Sequence, residues 1–96
     1  MPHFVYILYS ASHDLYYVGE SSDVERRIVF HNYLSQTGYT SKFRPWKLLL
    51  QMELPNHSSA RRLEKHIKKQ KNRGIITLLH SDMEYRKALI KKFSVG

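Results

Sequence analysis

Two tyrosine-bearing apolar segments near the start of the chain, Phe4-Val5-Tyr6-Ile7-Leu8 and Leu15-Tyr16-Tyr17-Val18-Gly19, constrain the fold more than any other feature. The first is apolar or aromatic at every position through Tyr9, which suits a strand covered on both faces and central in a sheet. The polar stretch Ser10-Ala11-Ser12-His13-Asp14 is a short loop, so the second segment reads as the return strand of a hairpin that ends at Gly19. A glycine there permits a positive φ or a close backbone approach, and a plain turn fits as well as a phosphate contact.

Beyond the hairpin, Ser22-Asp23-Val24-Glu25 has the spacing of a capping box with serine as the cap, which predicts a helix from Asp23 to about Leu34. Val24 and Ile28 face the core, and Arg27 and His31, four residues apart, share one face beside that stripe. Residues 35–45 read as a polar loop in which Tyr39, Lys42, Phe43 and Arg44 mix aromatic and basic groups. Such a mixture suits backbone contacts and base stacking on nucleic acid, and it suits ordinary loop anchoring equally well. Trp46 to Leu54 predicts a third strand with Leu48, Leu50, Met52 and Leu54 on one face. A helix is expected from about Ser58 to Arg73, stopped by Gly74, with Ala60, Leu63 and Ile67 as its narrow apolar stripe. Gly74 to Leu79 fits helix or strand, and Ser81-Asp82-Met83-Glu84 repeats the capping pattern ahead of a last helix through Tyr85, Leu89 and Ile90. This order of elements places the chain in the α+β class, and 96 residues provide material for one domain.

Charge narrows the partners. Sixteen Lys and Arg against eight Asp and Glu leave a net +8, and such a surface gathers polyanions. Arg61, Arg62, Lys65, Lys68 and Lys69 crowd one predicted helix, and with Lys42 and Arg44 they are the candidate phosphate contacts. A solvated helix face is the plain alternative, and the shortage of balancing acids favours nucleic acid. The absence of cysteine excludes disulfides and thiolate metal sites. The six histidines lie scattered without zinc-helix spacing, so a structural zinc site is not expected. No signal peptide or membrane-length apolar run is present, and the cytoplasm is the expected location.

Val5-Tyr6 and Tyr17-Val18-Gly19, followed by Ser22 to Arg27 and later by Ser59 to Lys68 around Glu64, resemble the motifs of the GIY-YIG nuclease superfamily. The similarity is to its short stand-alone bacterial members, akin to the N-terminal domain of the excision-repair nuclease subunit. It implies a three-stranded antiparallel sheet flanked by helices, a motif-bearing core over about 3–73, and a C-terminal appendage over about 74–96 that adds an extra helix. It also implies a Mg²⁺- or Mn²⁺-dependent endonuclease that hydrolyses phosphodiester bonds in DNA, with RNA left open. Such an enzyme would nick one strand at a time, with little sequence specificity, in repair or recombination.

The resemblance assigns roles to single residues. Tyr17 is the base or water-positioner with Tyr6 supporting it, Arg27 stabilises the transition state, His31 reaches the same pocket, and Glu64 is the metal ligand. Taken without the resemblance, the tyrosines could be sheet aromatics and Glu64 the partner of Lys68 in a helix pair. Three departures stand out. Phe4 and Val5 replace the first motif's glycine and isoleucine, Glu20 sets a negative charge beside the expected site where repair-type members often carry lysine, and Asn72 is misplaced for the late asparagine of longer members. The competing functions are a non-catalytic nucleic-acid-binding module and a basic interaction subunit of a repair complex. A monomer or weak homodimer without membrane contact is expected.

Overall fold

β1 (His3–Ser10) is the middle strand of a three-stranded antiparallel sheet, between β2 (Leu15–Ser21) and β3 (Lys47–Leu54). The computed structural model describes residues 1–95. Central placement follows from the continuous apolar run: Val5, Tyr6, Ile7 and Leu8 are all buried, which needs cover on both faces. β2 continues past Gly19 to Ser21, so the glycine lies within the strand rather than ending it.

The two faces of the sheet carry different loads. On one, Val5, Ile7, Val18, Leu50, Met52 and Leu54 pack against α3 (His57–Lys69), α4 (Arg73–Ser81) and α5 (Met83–Ser94). On the other, Tyr6, Leu8, Val24 and Trp46 form a second cluster, with Tyr17, Ile28 and Phe43 packed against it. α1 (Val24–Val29), its π-helical continuation (Phe30–Leu34) and a short α2 (Tyr39–Lys42) cover this second face.

Local chemistry sets the helix boundaries, and several differ from expectation. Asp23, not Ser22, caps α1: its carboxylate accepts from the Arg26 amide, while Ser21 Oγ accepts from the Asp23 amide. Asp82 caps α5 in the same way, accepting from the Tyr85 amide. The expected helix to Arg73 stops at Lys69, because Lys71 turns to a positive φ of 49° and Asn72 captures the Gly74 amide. Gly74 therefore sits in the first turn of α4 instead of terminating the helix before it, and the ambiguous stretch after it is helical. Ile76, Leu79 and Leu89 from the C-terminal helices join the main core. The supposed loop over residues 35–45 contains α2 and ends in a cis Arg44-Pro45 peptide.

β3 carries one irregularity. Ile7 pairs with Leu50 but Leu8 pairs with Leu48, so Leu49 is an extra residue in the ladder. The alternation expected from sequence fails there, and Leu48 is exposed while Leu50 is buried. Leu50→Ala should accordingly cost about 2–5 kcal/mol in urea unfolding and Leu48→Ala less than about 1 kcal/mol. Equal losses would place Leu48 in the core and remove the bulge.

Candidate active site

The site is built around a buried phenol. Tyr6 is 1% exposed, and its ring crosses the neighbouring strand where Gly19 stands opposite. A Cβ added at Gly19 would lie 2.5 Å from the Tyr6 hydroxyl and 3.0 Å from the Tyr17 ring. The motif glycine is required by this close approach, since its φ is ordinary.

The Tyr6 hydroxyl meets His31 Nε2 at 2.9 Å, and His31 Nδ1 meets Thr40 Oγ1 at 2.9 Å. His31 is itself buried, and burial together with the Arg27 charge lowers its pKa to about 4. It is a neutral imidazole at neutral pH, joining the sheet to α2. The π turn that carries it closes with the Ser35 amide donating to the Phe30 carbonyl at 2.8 Å. Asn32, one residue on, exchanges two hydrogen bonds with the Trp46 backbone, and Trp46 Nε1 donates to the Thr40 carbonyl at 2.8 Å.

Arg27 stands one turn before His31. Its guanidinium lies 4.5 Å from the Phe30 ring centroid and interacts with the Tyr6 hydroxyl and, through its charge, with Tyr17. Asp23 is occupied by the Arg26 amide, so the helix cap leaves Arg27 to the tyrosines. Burial raises the Tyr6 pKa to about 12 and raises that of Tyr17 as well; in both, Arg27 pulls down and Glu64 pushes up. Tyr17 is only half-buried, 4.8 Å from the His31 ring, and is the phenol that faces outward.

Glu64 reaches this group from α3. Its side chain is 18% exposed and its nearest cation is Lys68 Nζ at 3.7 Å, too long for a hydrogen bond. Lys68 also stands over the Tyr17 ring, 5.8 Å from its centroid. The five residues expected from sequence, Tyr6, Tyr17, Arg27, His31 and Glu64, are thus within one electrostatic neighbourhood. A carboxylate with no close donor among the described residues, beside two phenols, is a suitable hard-oxygen ligand for a divalent cation that keeps most of its own waters. The donor set fits the group.

The basic residues divide. Lys42, Arg61, Lys65, Lys68 and Lys69 are exposed. Arg44 instead donates from Nε to the His31 carbonyl at 2.8 Å and from Nη2 to the Ser35 carbonyl, closing the π turn from inside. Arg62 donates to Ser59 Oγ and to the Phe93 carbonyl, holding α5 against α3. Those two candidate phosphate contacts are therefore engaged within the fold. A cavity of about 280 Å³ is lined in part by Tyr16, Tyr39, Lys68, Lys71, Asn72 and Arg73, and by neither Tyr6 nor Tyr17. Arg73 is tied there to Asp14 by paired bonds of 2.7 and 3.1 Å, which hold the Asp14 carboxyl down at about 2.

Glu20 does not sit in the site. It points to the opposite face of β2 from Tyr17 and contacts His3 and His57. Asn72 is a helix cap, with no place among the tyrosines. Thr40, Asn32 and Trp46 went unmarked because each acts through a partner from another element, with no local spacing to show it. Phe30 lies three residues after Arg27, at helical spacing, and that signal was present in the sequence.

A small antiparallel sheet whose paired tyrosines, helical arginine and helical glutamate converge defines a nuclease-type domain. The chain belongs to the GIY-YIG family: the GIY-YIG catalytic domain matches residues 2–76. It is also similar to the UPF0213 protein BH0048 from Bacillus halodurans, solved in solution by NMR. The two are 30% identical over 88% of this chain and 92% of that one, with a TM-score of 0.52. No curated protein matches the chain. Among the described residues, no helix is long and apolar enough to cross a membrane.

The depressed His31 pKa has a stability consequence. The unfolded imidazole takes its proton near 6.5 and the folded one only near 4, so stability is complete above about pH 6.5 and falls as pH drops towards 4. His31 resonances followed by NMR should show no titration between pH 5.5 and 8, and His31→Gln should flatten the urea-stability profile over pH 4–6.5. A His31 that titrates near 6.5 would mean that the Tyr6–His31–Thr40 chain is open to solvent.

Proposed function

We propose that the protein is a divalent-metal-dependent endonuclease, with Mg²⁺ or Mn²⁺ as the ion, that hydrolyses DNA phosphodiester bonds one strand at a time in repair or recombination. The observation that carries this reading is the convergence of Tyr17, Arg27 and Glu64 around the buried Tyr6–His31 pair. Glu64 would hold the cation, which would supply Lewis-acid charge to the phosphate. Arg27 presents a planar guanidinium to the phosphate as it gains charge, held in place by Phe30. Tyr17 orients the attacking water and, as its phenolate, takes the proton. Tyr6 and His31 keep Tyr17 in position from behind. Water's oxygen bonds to phosphorus as its proton passes to Tyr17, the bond to the 3′ oxygen breaks, and that oxygen takes a proton from solvent water, leaving a 5′ phosphate and a 3′ hydroxyl.

The raised Tyr17 pKa means that the phenolate is scarce at pH 7, so the rate should climb by about tenfold per pH unit from 6 to 8.5. Exposed Lys42, Arg61, Lys65, Lys68 and Lys69 bind the backbone, which favours shape over sequence. One site cuts one strand, so a monomer or a weak homodimer suffices, acting in the cytoplasm alone or with other repair proteins. A second reading, a binding module without catalysis, draws on the Glu64–Lys68 pair, which offers the carboxylate a partner inside its own helix.

Cleavage of labelled linear, nicked and branched DNA, with RNA as a comparison, separates these readings. Cutting should require Mg²⁺ or Mn²⁺, vanish in Glu64→Ala, and fall by about 10²–10³-fold in Arg27→Ala. Tyr17→Phe should lose the rise with pH. Binding of all variants without cutting by any would leave the binding module as the function.

A further inference from the structure

Glu20 carries a feature that the nuclease chemistry does not use. Its Oε2 lies 2.6 Å from His3 Nε2 and its Oε1 3.4 Å from His57 Nε2. The two imidazole centroids are 4.8 Å apart, and all three potential ligand atoms lie within 4.8 Å of one another. Oε2 is shielded from solvent and, among the described residues, has no donor aligned for a hydrogen bond. The carboxylate oxygen and the imidazole nitrogen thus face each other at close range without the geometry of a bond.

We propose that His3, Glu20 and His57 form a second metal site, selective for a transition ion of the Zn²⁺ class and separate from Glu64. Two imidazoles and one carboxylate are a borderline donor set that suits Zn²⁺, whereas Mg²⁺ takes oxygen ligands. Tetrahedral zinc with bonds of about 2.0–2.2 Å sets its ligand atoms about 3.3 Å apart. His57 Nε2 stands 3.4 Å from Oε1 and His3 Nε2 2.6 Å from Oε2. Since one corner takes a single oxygen, the carboxylate must turn to present one oxygen to both imidazoles while the ligand atoms, now within 4.8 Å of one another, shift by about 1 Å. His57 is well exposed and free to adjust. The fourth position is left to water or a phosphate oxygen.

The site joins three elements: the start of β1, the end of β2 and the first turn of α3. Glu20 follows Gly19 directly, and His57 precedes Glu64 by two helical turns, about 10 Å along the axis. A metal there fastens the strand that carries Tyr17 to the helix that carries Glu64. Glu20 supplies the negative charge that offsets the positive end of α3. None of this depends on catalysis.

The test uses untagged, EDTA-treated protein titrated with Zn²⁺ by calorimetry, with Co²⁺ absorption reporting the ligands and circular dichroism reporting the fold. The expected result is one Zn²⁺ per chain, a raised Tm, and Co²⁺ bands of low-coordinate type. All three should vanish in folded His57→Ala and Glu20→Gln and persist in Glu64→Ala. Absence of Zn²⁺ binding by the unmodified protein would overturn the assignment. So would binding that survives in His57→Ala and Glu20→Gln, or that is lost in Glu64→Ala.

Discussion

A buried hydroxyl on the middle strand governs the whole second face of this sheet. The Tyr6 ring needs room across β2 and its hydroxyl needs a partner, since leaving it unsatisfied would cost about 1–3 kcal/mol. Gly19 supplies the room and His31 the partner. His31 in turn requires Thr40, Thr40 anchors Trp46, and Trp46 is gripped by Asn32. One phenol thereby ties α1, the π turn, α2 and the entry to β3 into a wall behind Tyr17.

Dividing the tasks between two faces explains how so small a chain can be both stable and polar at its site. The aliphatic core lies between the sheet and α3–α5, and it contains almost none of the polar side chains of the site. The aromatic face bears the phenols and the imidazole. Because β2 is an edge strand, Glu64 and Lys68 on α3 reach past it to the tyrosine side. The cation Arg27 and the anion Glu64 act on the same two phenols in opposite senses. Burial does most to raise the Tyr17 pKa, with Arg27 opposing it and Glu64 adding to it.

The two proposed metal loci, one at Glu64 and one at His3, Glu20 and His57, would offer different chemistry. Glu64 is a lone carboxylate beside phenols, suited to a hydrated hard ion. The histidine-rich locus at the start of the helix is suited to a more nitrogen-loving one. His57 and Glu64 lie two turns apart on α3, whereas His3 and Glu20 come from β1 and β2.

Sequence alone determined the central strand, the hairpin, the third strand and the pairing of Arg27 with His31 on one helix face, because each rests on periodicity within a few residues. It also brought Glu64 forward, as an isolated acid beside the apolar stripe of a basic helix. Tertiary structure decided the rest. The bulge at Leu49 reversed the expected burial of Leu48, and Asn72 competed successfully with Gly74 for the helix end. Arg44 and Arg62 turned inward to backbone carbonyls. Glu20, expected beside the tyrosines, met His3 and His57 instead, because strand alternation sends adjacent residues to opposite faces and those histidines arrive from distant segments. Local patterns report which face a residue occupies; which residues meet there depends on register and on packing between elements.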